Sequence, residues 1–236
     1  RPNILKQHFT KYPEIENEAV LYHDCDIVFT KPINWEQYLQ DNKWYGSDCR
    51  WYIGHDYIIS KGEDILDKMC EIVDIDKQLV KDNELNAIGA QYLMKGVTAD
   101  FWKEVAEDTL TIYKYMSDRE HQDRSKLSPD EAAHFNPIQK WCADMWSVLW
   151  GAWKMGAQTI VTPELDFSWG TSDINSYNKC PIMHNAGVTD STKDTLFYKA
   201  DFRSSSPFDA DLSYVNPESA SGKYVDAILY AKEKRK

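Results

Sequence analysis

The sequence predicts an α/β fold. Short apolar runs bounded by turn-forming residues alternate along the chain with longer segments of helical periodicity. Apolar residues make up 42% of the 236 and aromatics 13%, enough to build a core and to exclude a disordered chain. At ~150 residues per domain the length fits one large domain, and the expected organisation is a single domain over 1–236.

Each element has a local reason. Pro2 suits an early helical position, so 2–12 is expected to be helical, with Tyr12-Pro13 closing it. Ala19-Val20-Leu21-Tyr22 is an apolar run that meets polar His23-Asp24-Cys25-Asp26 and resumes as Ile27-Val28-Phe29. It predicts a buried strand with carboxylates at its C-terminal end. Trp35 to Leu39 suggests a short helix, and Tyr52-Ile53 and Tyr57-Ile58-Ile59 suggest strand. Ser60 and Glu63 have capping-box spacing before the stripe Ile65, Leu66, Met69, Ile72 and Val73. Asn86 to Met94 predicts a strand, and Asp100 is the expected cap of a helix running to about Met116. The polar stretch near 117–137 predicts an excursion without regular structure. Trp141 to Met155 predicts an aromatic helix with Gly156 at its C′ position. Strands are expected at Thr159–Thr162, Leu165–Trp169 and Pro181–His184, and a final helix near 223–236 with a basic last turn.

Composition removes several function classes. Lys and Arg number 27 against 38 Asp and Glu, a net charge of −11, which disfavours a nucleic-acid partner. No apolar run approaches the ~18 residues of a membrane span, and Arg1 to Lys6 lacks the apolar stretch of a signal peptide. The five cysteines are odd in number, widely spaced and without a Cys-x-x-Cys pair. That pattern argues against a disulfide framework or a structural zinc site and for reduced thiols, so the expected location is cytoplasmic. Oligomeric state is left open.

The residues that carry chemistry begin with Asp24-Cys25-Asp26. Side chains alternate along a strand, so two carboxylates at i and i+2 share a side and can hold one hard divalent cation. Two solvated acids in a turn is the plain alternative. A late candidate is His184 in Ile182-Met183-His184-Asn185-Ala186-Gly187, where small residues permit close backbone approach to a phosphate. A structural histidine at a strand end is its alternative. At i, i+4 spacing Trp146 and Trp150 are expected in the core, and His121 and His134 are expected in solvent.

An apolar strand followed by Asp-x-Asp resembles two families. One is the haloacid-dehalogenase-like phosphatases, in which Asp24 would be the nucleophile. The other is the metal-dependent glycosyltransferases of the GT-A fold, which the remaining motifs favour. Leu21 to Val28 is similar to their metal-binding signature, and Arg1 to Leu5 to the helix before that strand in family 8 and its relatives. Gly89-Ala90-Gln91-Tyr92-Leu93-Met94 is similar to an acceptor-side strand. Ala143-Asp144-Met145-Trp146 resembles their acidic helix start, and Ile182 to Gly187 their late metal-binding histidine and glycine. Family 8 has an Asp-Gln-Asp form around the position of Asp144, which this chain lacks.

The resemblance implies a GT-A-like, mostly parallel central sheet flanked by helices. It implies transfer of a sugar from a nucleoside-diphosphate sugar to a hydroxyl of a glycan, protein or small molecule. Asp24, Asp26 and His184 would hold Mn²⁺, or Mg²⁺ as second choice. Asp24, Gly187 and Lys199 would border the donor phosphates, Lys199 as a point charge. Gln91, Asp166, Trp169 and Asn185 are the expected substrate contacts, and Tyr52, His55 and Asp56 could border the site. Asp144 would either deprotonate the acceptor hydroxyl or orient the donor sugar; a carboxylate favoured by the helix dipole is its structural alternative. A non-catalytic carbohydrate-binding module of the same fold is a further alternative. In GT-A proteins several nucleotide-binding strands precede the Asp-x-Asp strand. Only 23 residues do so here, so those strands are expected to be lacking or to lie upstream in a longer domain.

Overall fold

The structure is a computed structural model that describes residues 1–235. Its strands are β1 (Val20–Tyr22), β2 (Ile27–Phe29), β3 (Trp44–Asp48), β4 (Ile88–Met94), β5 (Thr159–Val161), β6 (Phe167–Trp169) and β7 (Ile182–His184). Its helices are α1 (Pro2–Lys11), α2 (Arg50–Ile53), α3 (His55–Lys61), α4 (Glu63–Val73), α5 (Lys77–Asp82), α6 (Ala99–Arg124), α7 (Pro129–His134), α8 (Ala143–Lys154), α9 (Ile174–Lys179) and α10 (Ala220–Lys234). The fold is α/β, as expected. Two sheets are present instead of one mostly parallel sheet, and both are mixed. β1–β4, β3–β4 and β2–β7 pair antiparallel; β3–β5 and β6–β7 pair parallel.

The chain divides into two compact units, Arg1–Tyr22 with Glu36–Val161, and His23–Trp35 with Thr162–Lys236. The first carries the sheet β1-β4-β3-β5. Its core is aromatic: Trp44, Trp102, Trp146 and Trp150 are each less than 2% exposed. Indole N–H groups cost free energy when buried without a partner. Trp146 donates to the Ile53 carbonyl at 2.8 Å, and Trp44 to that of Lys95 at 2.8 Å. α8 is apolar nearly all round and buries nine of its twelve residues, which is the pattern of a helix inside a core. Trp146 and Trp150 are core, as their spacing predicts. His121 and His134 are exposed.

Several local expectations are corrected. Tyr52-Ile53 and Tyr57-Ile58-Ile59 lie in α2 and α3, not in strands. Their β propensity yields to burial of Tyr52, Ile53 and Ile58 on helical faces. Ser60 does not open a helix; α3 runs through it and stops at Gly62, whose φ of 149° starts α4. Thr98, not Asp100, caps α6, accepting the Phe101 N–H at 3.1 Å. α6 also runs to Arg124, into the stretch expected to be irregular. Pairs one turn apart hold that polar extension: Arg119–Asp123 at 2.6 Å and Glu120–Arg124 at 3.0 Å. The capping box Ser128–Glu131 then opens α7. The final helix starts at Ala220, capped by Ser219, and its expected end at Lys236 lies outside the described residues.

The second unit is built on the sheet β2-β7-β6, with β7 in the centre. A small apolar cluster of Phe197, Leu212, Val215 and Val225 seats α10 in this unit. β1 and β2, read together from sequence as one strand region, belong to different sheets and different units.

Candidate metal centre

Register in the second sheet explains why the candidate ligands meet. β7 is flanked on both sides, with Ile27 opposite His184 across the antiparallel pair and Trp169 opposite His184 across the parallel one. The ladder runs one residue further, because the Asn185 N–H donates to the Asp26 carbonyl at 2.9 Å. That bond ties the Asp-x-Asp segment to the end of β7. Asp24 and Asp26 do not sit on a strand end; they lie in the turn that leads into β2.

The His184 Nε2 is 3.3 Å from Asp24 Oδ2 and 3.5 Å from Asp26 Oδ1. One ligand atom from each of the three residues lies within 4.8 Å of the others. The side chains are 24%, 15% and 8% exposed, so the cluster is recessed but open to an ion. The imidazole is held by aromatic neighbours on its own face of the sheet. Trp169 stacks on it at 5.9 Å and 17°, and Phe167, two residues earlier, tilts against it at 5.6 Å. Nδ1 of His184 is buried without a hydrogen-bond partner. The carboxylate or carbonyl that often orients a metal-binding histidine through its second nitrogen is absent, and the two rings do the orienting instead.

Lys199 enters from a short 3₁₀ turn, Lys199–Phe202, and places Nζ 2.5 Å from Asp26 Oδ2. Burial pushes the Asp26 carboxyl upward. Hydrogen bonds and charge from His184 and Lys199 outweigh that, and its pKa falls to about 2. Tyr224 of α10 lies within electrostatic range of Asp26 and Cys25, and its phenol is pushed up chiefly by burial. Burial lowers the pKa of His23, whose Nδ1 lies 2.6 Å from the Asp24 carbonyl.

The other expected residues divide between the units. Asp166, Trp169, Asn185, Gly187 and Lys199 are in the second. Gly187 has φ of 86°, a backbone state that glycine adopts without steric cost. Asn185 is 2% exposed, and both polar atoms of its side chain lack a partner. The Asp166 carbonyl accepts the Ile182 N–H at 3.3 Å. Asp144 and Gln91 are in the first unit, as are Tyr52, His55 and Asp56. Asp144 stands in the first turn of α8 and pairs with Arg1 at 2.8 Å. Gln91 is fully buried in β4 and accepts the Ser47 hydroxyl at 2.6 Å. His55 pairs with its neighbour Asp56 at 2.9 Å.

Sequence reasoning missed Phe167 and Tyr224. Phe167 was accessible through its i, i+2 relation to Trp169, whereas nothing local marks Tyr224 on α10. All five cysteines are free, and no described helix is long and apolar enough to cross a membrane.

The donor set suits a divalent cation. Two carboxylate oxygens and one imidazole nitrogen form a mixed hard and borderline site with room for exogenous ligands. No family model, curated protein or solved structure matches this chain.

Proposed function

We propose that this chain is a metal-dependent glycosyltransferase of GT-A-like type, moving a sugar from a nucleoside-diphosphate sugar to a hydroxyl acceptor. One observation carries the reading: His184, more than a hundred residues from Asp24 and Asp26 in sequence, presents its ligand atom within 4.8 Å of theirs. The resemblance in the sequence implies that same set.

Asp24, Asp26 and His184 are the residues that would hold the cation, Mn²⁺ by preference for a mixed oxygen and nitrogen set and Mg²⁺ as second choice. When bound, the cation supplies positive charge that offsets the charge developing on a departing diphosphate. The chain's own groups do the rest. Asp26, with its pKa at about 2, is ionised at neutral pH and gives up no proton to a ligand. Trp169 and Phe167 hold the imidazole in one orientation. The Lys199 ammonium supplies a mobile charge for a phosphate oxygen. Asn185 offers one acceptor and two donors to a group that can match them. The role of Asp144, as base or as orienting carboxylate, rests on the resemblance alone.

The test is a thermal-shift screen of nucleoside-diphosphate sugars with and without Mn²⁺. A ligand of the folded state at a hundred times its Kd adds about 2.7 kcal/mol of stability, which such a screen detects. Stabilisation by one donor class that needs Mn²⁺ supports the proposal. No donor response in either condition refutes it, and trapping of an acyl-phosphate mimic on Asp24 would assign the phosphatase chemistry instead.

A further inference from the structure

We propose that Lys199 is a built-in stand-in for the divalent cation: its ammonium holds the charge position beside Asp26 in the metal-free protein and must withdraw when a metal enters. The inference rests on the metal reading of Asp24, Asp26 and His184 and adds a control on that site.

The geometry divides one carboxylate between an ammonium and an imidazole. Oδ2 of Asp26 meets the Lys199 Nζ at 2.5 Å, and Oδ1 faces the His184 Nε2 at 3.5 Å. The same nitrogen reaches Asp24 at 3.3 Å, so two carboxylates share one imidazole. Two recessed carboxylates side by side repel each other unless positive charge lies between or beside them. The lysine supplies that charge. A divalent ion bound by the same carboxylate would meet the ammonium at close range as a like charge, which disfavours both staying.

The lysine is the partner free to leave. Its side chain is 54% exposed, on a four-carbon stem from a short turn, whereas Asp26 is 15% exposed and its backbone carbonyl is fixed by the Asn185 N–H. Breaking the ion pair is part of the cost of loading the metal, so Lys199 lowers metal affinity while offsetting part of the carboxylates' charge when no metal is bound. A residue that merely decorated the surface would do neither.

The experiment is calorimetric titration of Mn²⁺ alone into the wild-type chain and into Lys199→Met. The variant is expected to bind Mn²⁺ about three- to tenfold more tightly, the scale of a partly exposed ion pair no longer competing. Equal or weaker binding by the variant, with the wild type binding normally, overturns the stand-in and leaves the metal site standing. Absence of binding in both overturns the metal reading and this inference with it. A second measurement needs no variant: acylation of Lys199 by an amine-reactive ester, followed by peptide mass spectrometry with exposed Lys114 as reference. The rate at Lys199 is expected to rise severalfold when Mn²⁺ is added. An unchanged ratio overturns the inference.

Discussion

Replacing Asp26 by Asn tests the electrostatics of the cluster without changing its shape. The carboxyl pKa falls from 3.8 to about 2 in the folded chain. At 1.36 kcal/mol per unit this corresponds to about 2 kcal/mol, and solvent reaching the Lys199 side lowers it to about 1–2 kcal/mol. The folded value lies below the unfolded one, so this stability is present above about pH 4 and is lost as the pH falls from about 4 to about 2. Asp26→Asn should therefore unfold at lower urea than wild type at pH 7 with chelator present. The gap should narrow as the pH falls from about 4 toward 2. Mn²⁺ should raise the melting temperature of the wild type and leave that of Asp26→Asn unmoved, because a neutral amide is a poor ligand for a hard cation. A variant as stable as wild type at pH 7 would refute the coupling to His184 and Lys199. A normal Mn²⁺ response from it would refute the metal assignment.

Three further outcomes concern single residues, the first of them resting on the proposed function. Asp144→Asn should leave Mn²⁺ binding and folding intact while cutting sugar transfer at least a hundredfold, read by steady-state kinetics; full activity would remove Asp144 from the chemistry. Burial raises the Asp108 pKa to about 6, with Lys154 opposing, so this group favours folding below about pH 4 and loses that contribution as pH rises through 6. Asp108→Asn should accordingly stabilise the chain by about 1 kcal/mol at pH 8, after discounting for solvent screening, and by nothing at pH 4, as urea titrations at the two pH values will show. Trp146→Phe removes the 2.8 Å bond to the Ile53 carbonyl and leaves that oxygen buried, for a loss of about 2 kcal/mol in denaturant unfolding.

What was legible in the sequence follows from how locally each feature is encoded. The strands at 20–22, 27–29 and 88–94 and the buried tryptophans of α8 follow from runs and spacing, because burial on a sheet or helix face imposes a period. α2 and α3 were hidden, since Tyr52, Ile53 and Ile58 favour strand by propensity and only tertiary burial makes them helical. The end of α6 was hidden for the opposite reason. Arg119, Glu120, Asp123 and Arg124 carry no apolar stripe, and their support comes from side-chain pairs that include Lys140 at 2.9 Å from Glu120. Asp24, Asp26 and His184 were each visible as residue types next to apolar segments. Their meeting depends on β7 lying between β2 and β6, a register no local pattern records. The grip of Lys199 on Asp26 and the place of Tyr224 are likewise products of long-range packing.

That central placement of β7 also sets a timetable for synthesis. β2 leaves the ribosome about 150 residues before β7, its sheet neighbour among the described strands, and at ~5–20 residues per second the delay is roughly eight to thirty seconds. During that interval Ile27, Val28 and Phe29 form an unpaired edge of the kind that invites aggregation. The acids at 24 and 26 on one side and Lys31-Pro32 on the other are the flanking charges and proline that discourage such pairing. The same two carboxylates thus guard a nascent strand first and face a histidine only once β7 has been made.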